Sequence, residues 1–539
     1  MKQFFATLLL CLTAFVSFST VINGGVYHTS KTHITFDLNR SDYQRDWVIS
    51  PEKNPDILRV FCENPIEVTF HLPTQDVRFI VSESDTIKLS FIVNSIDTAN
   101  TLIVGTREIP NTIEVSEKLF HFSRLWSEAR YNYVNIDYID FDFDSLYKSY
   151  LSPIMQSTND YEYYRLLQRF FASINDGHTE VFIPSYLSVY EDYIPITLNH
   201  FDKQLYITAI PKDIGLDSTL LAARILKIND VPIQLFLEDS IFPYISSSTE
   251  QSLWMQVPQA ICYGLRSKPF VAEVEKADGQ IAIISLKRNG EATRIAGRKY
   301  YSLRKMSDSD WNLVKLRWHN DTILQLSINS FYPDDYIISL IKDKEKEIRT
   351  AKRLIIDLRG NGGGSTIVAH YIQSLLTDAP YFINYAWQTR INDGVRKANG
   401  NWIKEYEDYY LEKAYRSVEG DTIFIADTVM RWLMPTVILI GEYTFSAAED
   451  FLVNIYEVPE RPLLIGTKTG GSTGSPLVIN ELPSGGCARI CTRRILFPYS
   501  HKPFVGKGIE PDIETITTFE DYCSGIDKPL EKAIEILSK

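Results

Sequence analysis

A mixed α/β, multidomain fold is what this sequence predicts. Three observations carry it: a length of 539 residues, alternating strand-like segments in the first half, and apolar strands interleaved with helical patterns beyond about residue 310. Single hydrophobic cores stop growing near roughly 250–300 residues, so about two to four domains are expected. Hydrophobic residues at 45%, with 31 Tyr and 28 Phe, supply enough large side chains to bury, which argues against disorder.

Taken in order, residues 1–19 read as a secretory signal peptide: Lys2, an apolar run from Phe4 to Val16, then the small residues Ser17 and Ser19. The run is too short to span a bilayer, and no later stretch approaches 20 apolar residues, so the chain is expected to be exported without a transmembrane segment. Residues 20–110 form a β-rich domain, with alternation over Ile66–Leu72 and Thr86–Val93. Residues 111–185 are helical. Tyr163, Leu166, Leu167, Phe170, Phe171 and Ile174 make one apolar stripe, and the helix ends at Asn175-Asp176-Gly177-His178. Short strands return over 186–300, at Leu205–Ile210, Ile225–Ile228 and Ile281–Ile284, with Asp278-Gly279 as a hairpin turn. In 301–539, Leu354–Leu358 leads through a glycine run into a helix from about Ser365 to Leu376. Thr436–Ile440 leads likewise into a helix from about Ala447 to Ile455. That order argues for βαβ crossovers and a partly parallel sheet, with ligands expected beyond the carboxyl ends of its strands.

The net charge of −13 speaks against nucleic acid or an anionic membrane surface as a partner. Arg493 and Arg494 read as solvated strand ends. With Cys11 in the signal segment, Cys62, Cys262, Cys487, Cys491 and Cys523 remain, which is no disulfide framework. If Cys487 and Cys491 share a strand they lie about 13 Å apart, too far to bridge. Among nine histidines none stands in a His-Glu-x-x-His pattern, so neither a metal nor an organic cofactor is expected.

Two stretches have the makings of a site. Asp357-Leu-Arg-Gly-Asn-Gly-Gly-Gly-Ser365 follows a buried strand, and its glycines let bare N–H groups approach an anion or oxyanion. It departs from a dinucleotide fingerprint at Ser365 and lacks the Gly-Lys-Ser/Thr of a phosphate loop; a tight strand-to-helix turn without ligand is the alternative reading. In Gly441-Glu-Tyr-Thr-Phe-Ser-Ala-Ala-Glu449, Ser446 lies where a strand gives way to a helix. A nucleophile and oxyanion donors can be built there, and equally an ordinary helix N-cap. His178, in a turn between helix and strand, is either a base or a surface turn residue.

With Thr444-Phe-Ser-Ala-Ala-Glu449, Gly466-Thr-Lys-Thr-Gly-Gly-Ser472 and Gly506-Lys-Gly-Ile-Glu-Pro-Asp512 added, the chain resembles the tail-specific, or C-terminal processing, serine peptidases, in particular their tricorn-like branch. The resemblance implies a ClpP/crotonase-like catalytic domain over 301–539, a PDZ-like module over 186–300 and polypeptide substrates. It implies Ser446 as nucleophile, with the N–H groups of Ala447 and Gly363 as oxyanion hole. Where many members carry a lysine base this chain has Ser472, with Lys468 nearby, so the resemblance points to His178 as base. Two departures stand out: Gly177 replaces a serine expected before the histidine, and Phe504 and Val505 stand where a supporting glutamate is expected. Glu510 or Asp176 is the substitute carboxylate. A non-catalytic protein binding a peptide or lipid on the same fold is the alternative. The substrate and the oligomeric state are not legible.

Overall fold

The computed structural model describes residues 109–304 and 312–539, except 185–186, 188–189 and 289–298, together with the backbone of seven strands between residues 28 and 104. The expected signal peptide and Cys62 lie outside the described residues. Strands Ile66–His71 and Ile87–Ser95 sit where alternation puts them, in two small sheets.

Three helices follow: α1 (Val115–Asn132), α2 (Phe143–Gln156) and α3 (Asp160–Ala172). Asp142 and Asn159 cap α2 and α3 by accepting N–H groups of their first turns. Helix α3 buries Tyr163, Tyr164, Leu167, Phe170 and Phe171 along one face. Asn175, at φ +55°, turns the chain out of the helix and into the short strand β1 (Glu180–Phe182).

The next sheet is antiparallel along its main path: Thr197–Phe201, Gln204–Pro211, β2 (Arg224–Ile228), Phe270–Glu275 and Ile281–Leu286. Gly279, at φ +82°, makes the turn between the last two strands. This module is less purely β than its sequence suggests. Helices Ile233–Ser240 and α4 (Glu250–Cys262) pack on it through Leu237, Trp254, Val257 and Ile261.

The C-terminal sheet runs in the order β3 (Val314–Trp318), β4 (Ile323–Ile328), β5 (Arg353–Asp357), β6 (Thr436–Ile440), β7 (Leu463–Gly466) and, after the separate strand β8 (Cys487–Cys491), β9 (Ile513–Glu514). Only β3 is antiparallel to its neighbour; the other pairs are parallel. Helices α5 (Thr366–Leu375) and α6 (Ala447–Tyr456) follow β5 and β6 and share a core with Leu326, Ile356 and Ile438. Both faces of the inner strands are covered, which is why they read as unbroken apolar runs. The adjacent strands β5, β6 and β7 end on one edge, so the glycine run, Ser446 and the 467–472 loop emerge side by side.

Strand β8 pairs antiparallel with β1, Arg489 opposite Glu180 and Ala488 opposite Val181, and thereby docks the helical segment onto the C-terminal part. Cys487 and Cys491 share β8, and none of the four cysteines among the described residues forms a disulfide. Arg494 departs from expectation: it is buried, with Nε on Asn135 Oδ1 at 2.7 Å and Nη2 on Asp137 Oδ1 at 2.5 Å, tying down the turn after α1. Among the described residues no helix is long and apolar enough to cross a membrane.

Below the glycine run, Arg359 grips Asp357 (2.8 and 3.0 Å) and Asp527 (2.6 and 2.9 Å), the latter capping the C-terminal helix Lys528–Leu537. Burial alone would raise the Asp357 carboxyl, but the guanidinium outweighs it and holds the group below its ordinary value. Removing one partner of such a pair leaves a charge uncompensated. Arg359→Met is therefore expected to lower unfolding stability by about 3 kcal/mol, measured by denaturant titration against wild type.

Candidate active site

Strand β6 ends at Ile440, and the turn after it is locked to the end of β5. Thr444 Oγ1 donates to Leu358 O at 2.9 Å, and Phe445 N to Asn361 O at 3.0 Å. This delivers Ser446 at φ +55°, ψ −124°, outside the region an L-residue prefers, a conformation costing of order 1–3 kcal/mol. Ser446 precedes α6, yet its side chain caps no helical N–H. Its Oγ lies 3.0 Å from His178 Nε2.

His178 is held from three sides. Asp176 Oδ1 accepts the His178 N–H at 2.7 Å, and the Gly177 N–H donates to Ser248 Oγ at 2.9 Å. The imidazole stacks on Phe445, with centroids 4.9 Å apart and planes at 6°. On its far side, Nδ1 meets Ser472 Oγ at 2.8 Å. Burial, then the nearby Arg489 guanidinium, push the His178 pKa well below its ordinary value, so the ring is neutral at pH 7. Position 177 has no room for a side chain: a Cβ there would come 2.9 Å from the Phe445 ring and 3.4 Å from Ser472 Cβ. Ser472 thus presents its hydroxyl beside the position at which a serine was expected.

The loop bearing Ser472 is suspended from Glu449 on the first turn of α6. Oε1 of Glu449 accepts from Thr469 Oγ1 (2.5 Å) and Gly471 N (2.8 Å), and Oε2 from Ser472 N (3.0 Å). Burial pushes this carboxyl up to about 8 against the pull of those donors. The start of α4 braces the same loop, Thr249 Oγ1 donating to Gly470 O at 2.7 Å and Gln251 Nε2 to Thr469 O at 3.0 Å.

In the glycine run, Gly363 lies so close to Ser446 that a Cβ on it would stand 2.6 Å from Ser446 Cβ and 2.9 Å from Ala447 N. Its φ of +94° and this contact both require glycine. The Gly363 N–H, however, donates to Asn361 Oδ1 at 2.8 Å and so turns to its own loop. The neighbouring carbonyl, Gly363 O, accepts from Phe331 N at 2.8 Å, and Gly364 bridges Phe331 in parallel fashion. The Gly364 N–H, across a trans peptide, therefore faces away from Phe331, to the side where the end of β6 leads into Ser446. The Ala447 N–H, first of its helix, donates to no backbone acceptor among the described residues.

The structure therefore brings together Ser446, His178, Ala447 and the glycine run. It does not bring Glu510 to them: that side chain is exposed and pairs with Lys468 Nζ at 2.8 Å. Asp176 contacts the His178 backbone, not its ring. Sequence reasoning assigned no part to Ser472, Glu449 or Ser248. The signals for the first two were their places in the Thr-Gly-Gly-Ser and Ser-Ala-Ala-Glu motifs; Ser248 had none.

Residues 322–515 match the family model of peptidase family S41. No curated protein sequence matches the chain. Among solved structures, mature CPAF complexed with lactacystin is similar at 15% identity and TM-score 0.57, with 78% of this chain and 98% of that one covered. The photosystem II D1 C-terminal processing protease aligns at 14% identity and TM-score 0.42 over 78% and 97%. A putative peptidase from Parabacteroides merdae aligns at 19% and 0.44 over 79% and 98%. The CPAF likeness shows a shared fold, and within it residues 322–515 match peptidase family S41, whose model spans most of the C-terminal sheet and the loops that carry Ser446 and Ser472.

Proposed function

We propose that the chain is an exported endopeptidase of the tricorn-like branch in which Ser446 is the nucleophile and His178 the general base. The observation that carries this is the 3.0 Å separation of His178 Nε2 and Ser446 Oγ in a buried site where the imidazole is neutral. Ser446 Oγ bonds to the peptide carbonyl carbon as its proton passes to Nε2. The tetrahedral oxyanion then collapses, the C–N bond breaks and Nε2–H protonates the leaving amine. Water repeats the sequence on the acyl-enzyme, and Ser446 regains its proton. The oxyanion would be met by the N–H groups of Ala447 and Gly364, each such donor being worth roughly 3–4 kcal/mol in the transition state. Gly364 takes the part expected of Gly363, whose N–H is committed to Asn361.

The module containing β2 is read as PDZ-like. A cavity of about 220 Å³ between β2 and helix Ile233–Ser240, lined by Leu205, Arg224, Ile225, Ile233 and Leu237, supports a role in holding an extended peptide. Export rests on the signal-like residues 1–19 alone.

A fluorophosphonate is expected to label Ser446 covalently, and Ser446→Ala to lose peptide cleavage by about a million-fold. A labelled-mass experiment together with single-turnover assays checks both. Stoichiometric peptide or lipid binding with Ser446 unlabelled would instead establish the non-catalytic alternative. The base works only when neutral, and its pKa is lowered. The acid limb of kcat/KM should accordingly fall below the ordinary histidine value of about 6.5, with full activity retained at pH 6.5; a pH–rate profile measures it.

A further inference from the structure

We propose that Ser472 is the positioning residue for His178, doing through a hydroxyl what a carboxylate does in other serine–histidine sites, and that Glu449 is what places it. The inference rests on the Ser446–His178 reading above and adds the third member of that site.

Among the described residues the side chain facing His178 Nδ1 is Ser472, at 2.8 Å and fully buried. For Nε2 to accept the Ser446 proton, the ring must carry its own proton on Nδ1, and an acceptor at Nδ1 favours that tautomer. Ser472 Oγ is that acceptor. The same residue is tied at both backbone atoms to the helix start that Ser446 introduces: its carbonyl accepts the Ser446 N–H at 3.1 Å, and its N–H donates to Glu449 Oε2, three residues along from Ser446, at 3.0 Å. Base and nucleophile thus meet in one buried residue, so a shift of the loop would move the His178 partner and the Ser446 backbone together. The two carboxylates that might have served do not: Asp176 is turned to the His178 backbone N–H, and Glu510 is on the surface with Lys468.

A serine differs from a carboxylate in one measurable way. Its hydroxyl accepts from the imidazolium but offers no counter-charge when the second ring proton arrives. The charged and titratable groups around His178 are Asp176 in its own turn, Arg489 of β8 with its ion-pair partner Glu180 of β1, and Glu449 behind the loop. Arg489 adds to burial in disfavouring the imidazolium.

The test uses the full chain with a peptide substrate. Ser472→Ala is expected to lower kcat by roughly 100-fold, the lower end of what a positioned base contributes, with KM unchanged. Ser472→Thr, which keeps the hydroxyl, should keep most of the rate. Ser472→Asp, which adds the missing charge, should move the acid limb of kcat/KM upward. Should Ser472→Ala fail to fold, the Thr and Asp variants decide. Wild-type kcat and acid limb in Ser472→Ala, a Thr variant no faster than the Ala variant, or an unmoved acid limb in Ser472→Asp each overturn the proposal. Fluorophosphonate labelling of Ser446 in wild type separates the two failures. A labelled Ser446 with an indifferent Ser472 removes only this role, whereas an unlabelled Ser446 in an enzyme that survives Ser446→Ala removes the underlying reading as well.

Discussion

The arrangement of the whole site depends on one buried carboxyl, that of Glu449. It stands on the first turn of the helix that Ser446 introduces, in surroundings that disfavour charge, and is satisfied by three donors from a single loop. A buried acid of this kind is costly unless its oxygens are hydrogen-bonded, so the loop has one low-energy position, the one that meets those oxygens. Ser472 is carried in that loop, and through its carbonyl it fixes the Ser446 N–H in return. The helix start at Ser446 and the loop therefore define each other, and His178 meets both of them at Ser446 and Ser472.

The same helix start stores strain. Ser446 is held at positive φ because its neighbours leave it no other course: Thr444 and Phe445 are bonded to the end of β5 and the glycine run, and Ala447, Ala448, Phe451 and Leu452 are packed into the core. The glycine run has a steric reason as well as a chemical one. Two strand ends come so close at Gly363 and Ser446 that no side chain fits between them. A motif that reads as an anion cradle is thus also the clearance that lets Ser446 stand between parallel strands.

Legibility in the sequence followed locality. Strand Thr436–Ile440 and helix Ala447–Tyr456 were readable because a covered parallel strand is an unbroken apolar run and its helix begins at once. The helices of the middle module were not. In α4 the buried Trp254, Val257 and Ile261 keep helical spacing, but Pro258 within the helix masks the pattern. At the site, Ser446 and His178 could be named because each sits in a motif with its own local shape. Ser472 meets His178 across 294 residues, and no periodicity records a contact of that kind. Arg494 failed for a related reason: a charged pair near a strand end looks solvated until the partner from a distant turn, Asp137, is in place.

The pairing of β1 with β8 carries a consequence for the order in which the protein becomes what it is. His178 is synthesised early, but the strand that seats its turn ends at Cys491, 313 residues later by subtraction of the two positions. Until that strand has been made and docked, His178 and Ser446 belong to separate pieces of chain. A nascent chain that has not yet reached Cys491 therefore lacks the paired strands, and the topology itself keeps His178 and Ser446 apart until then.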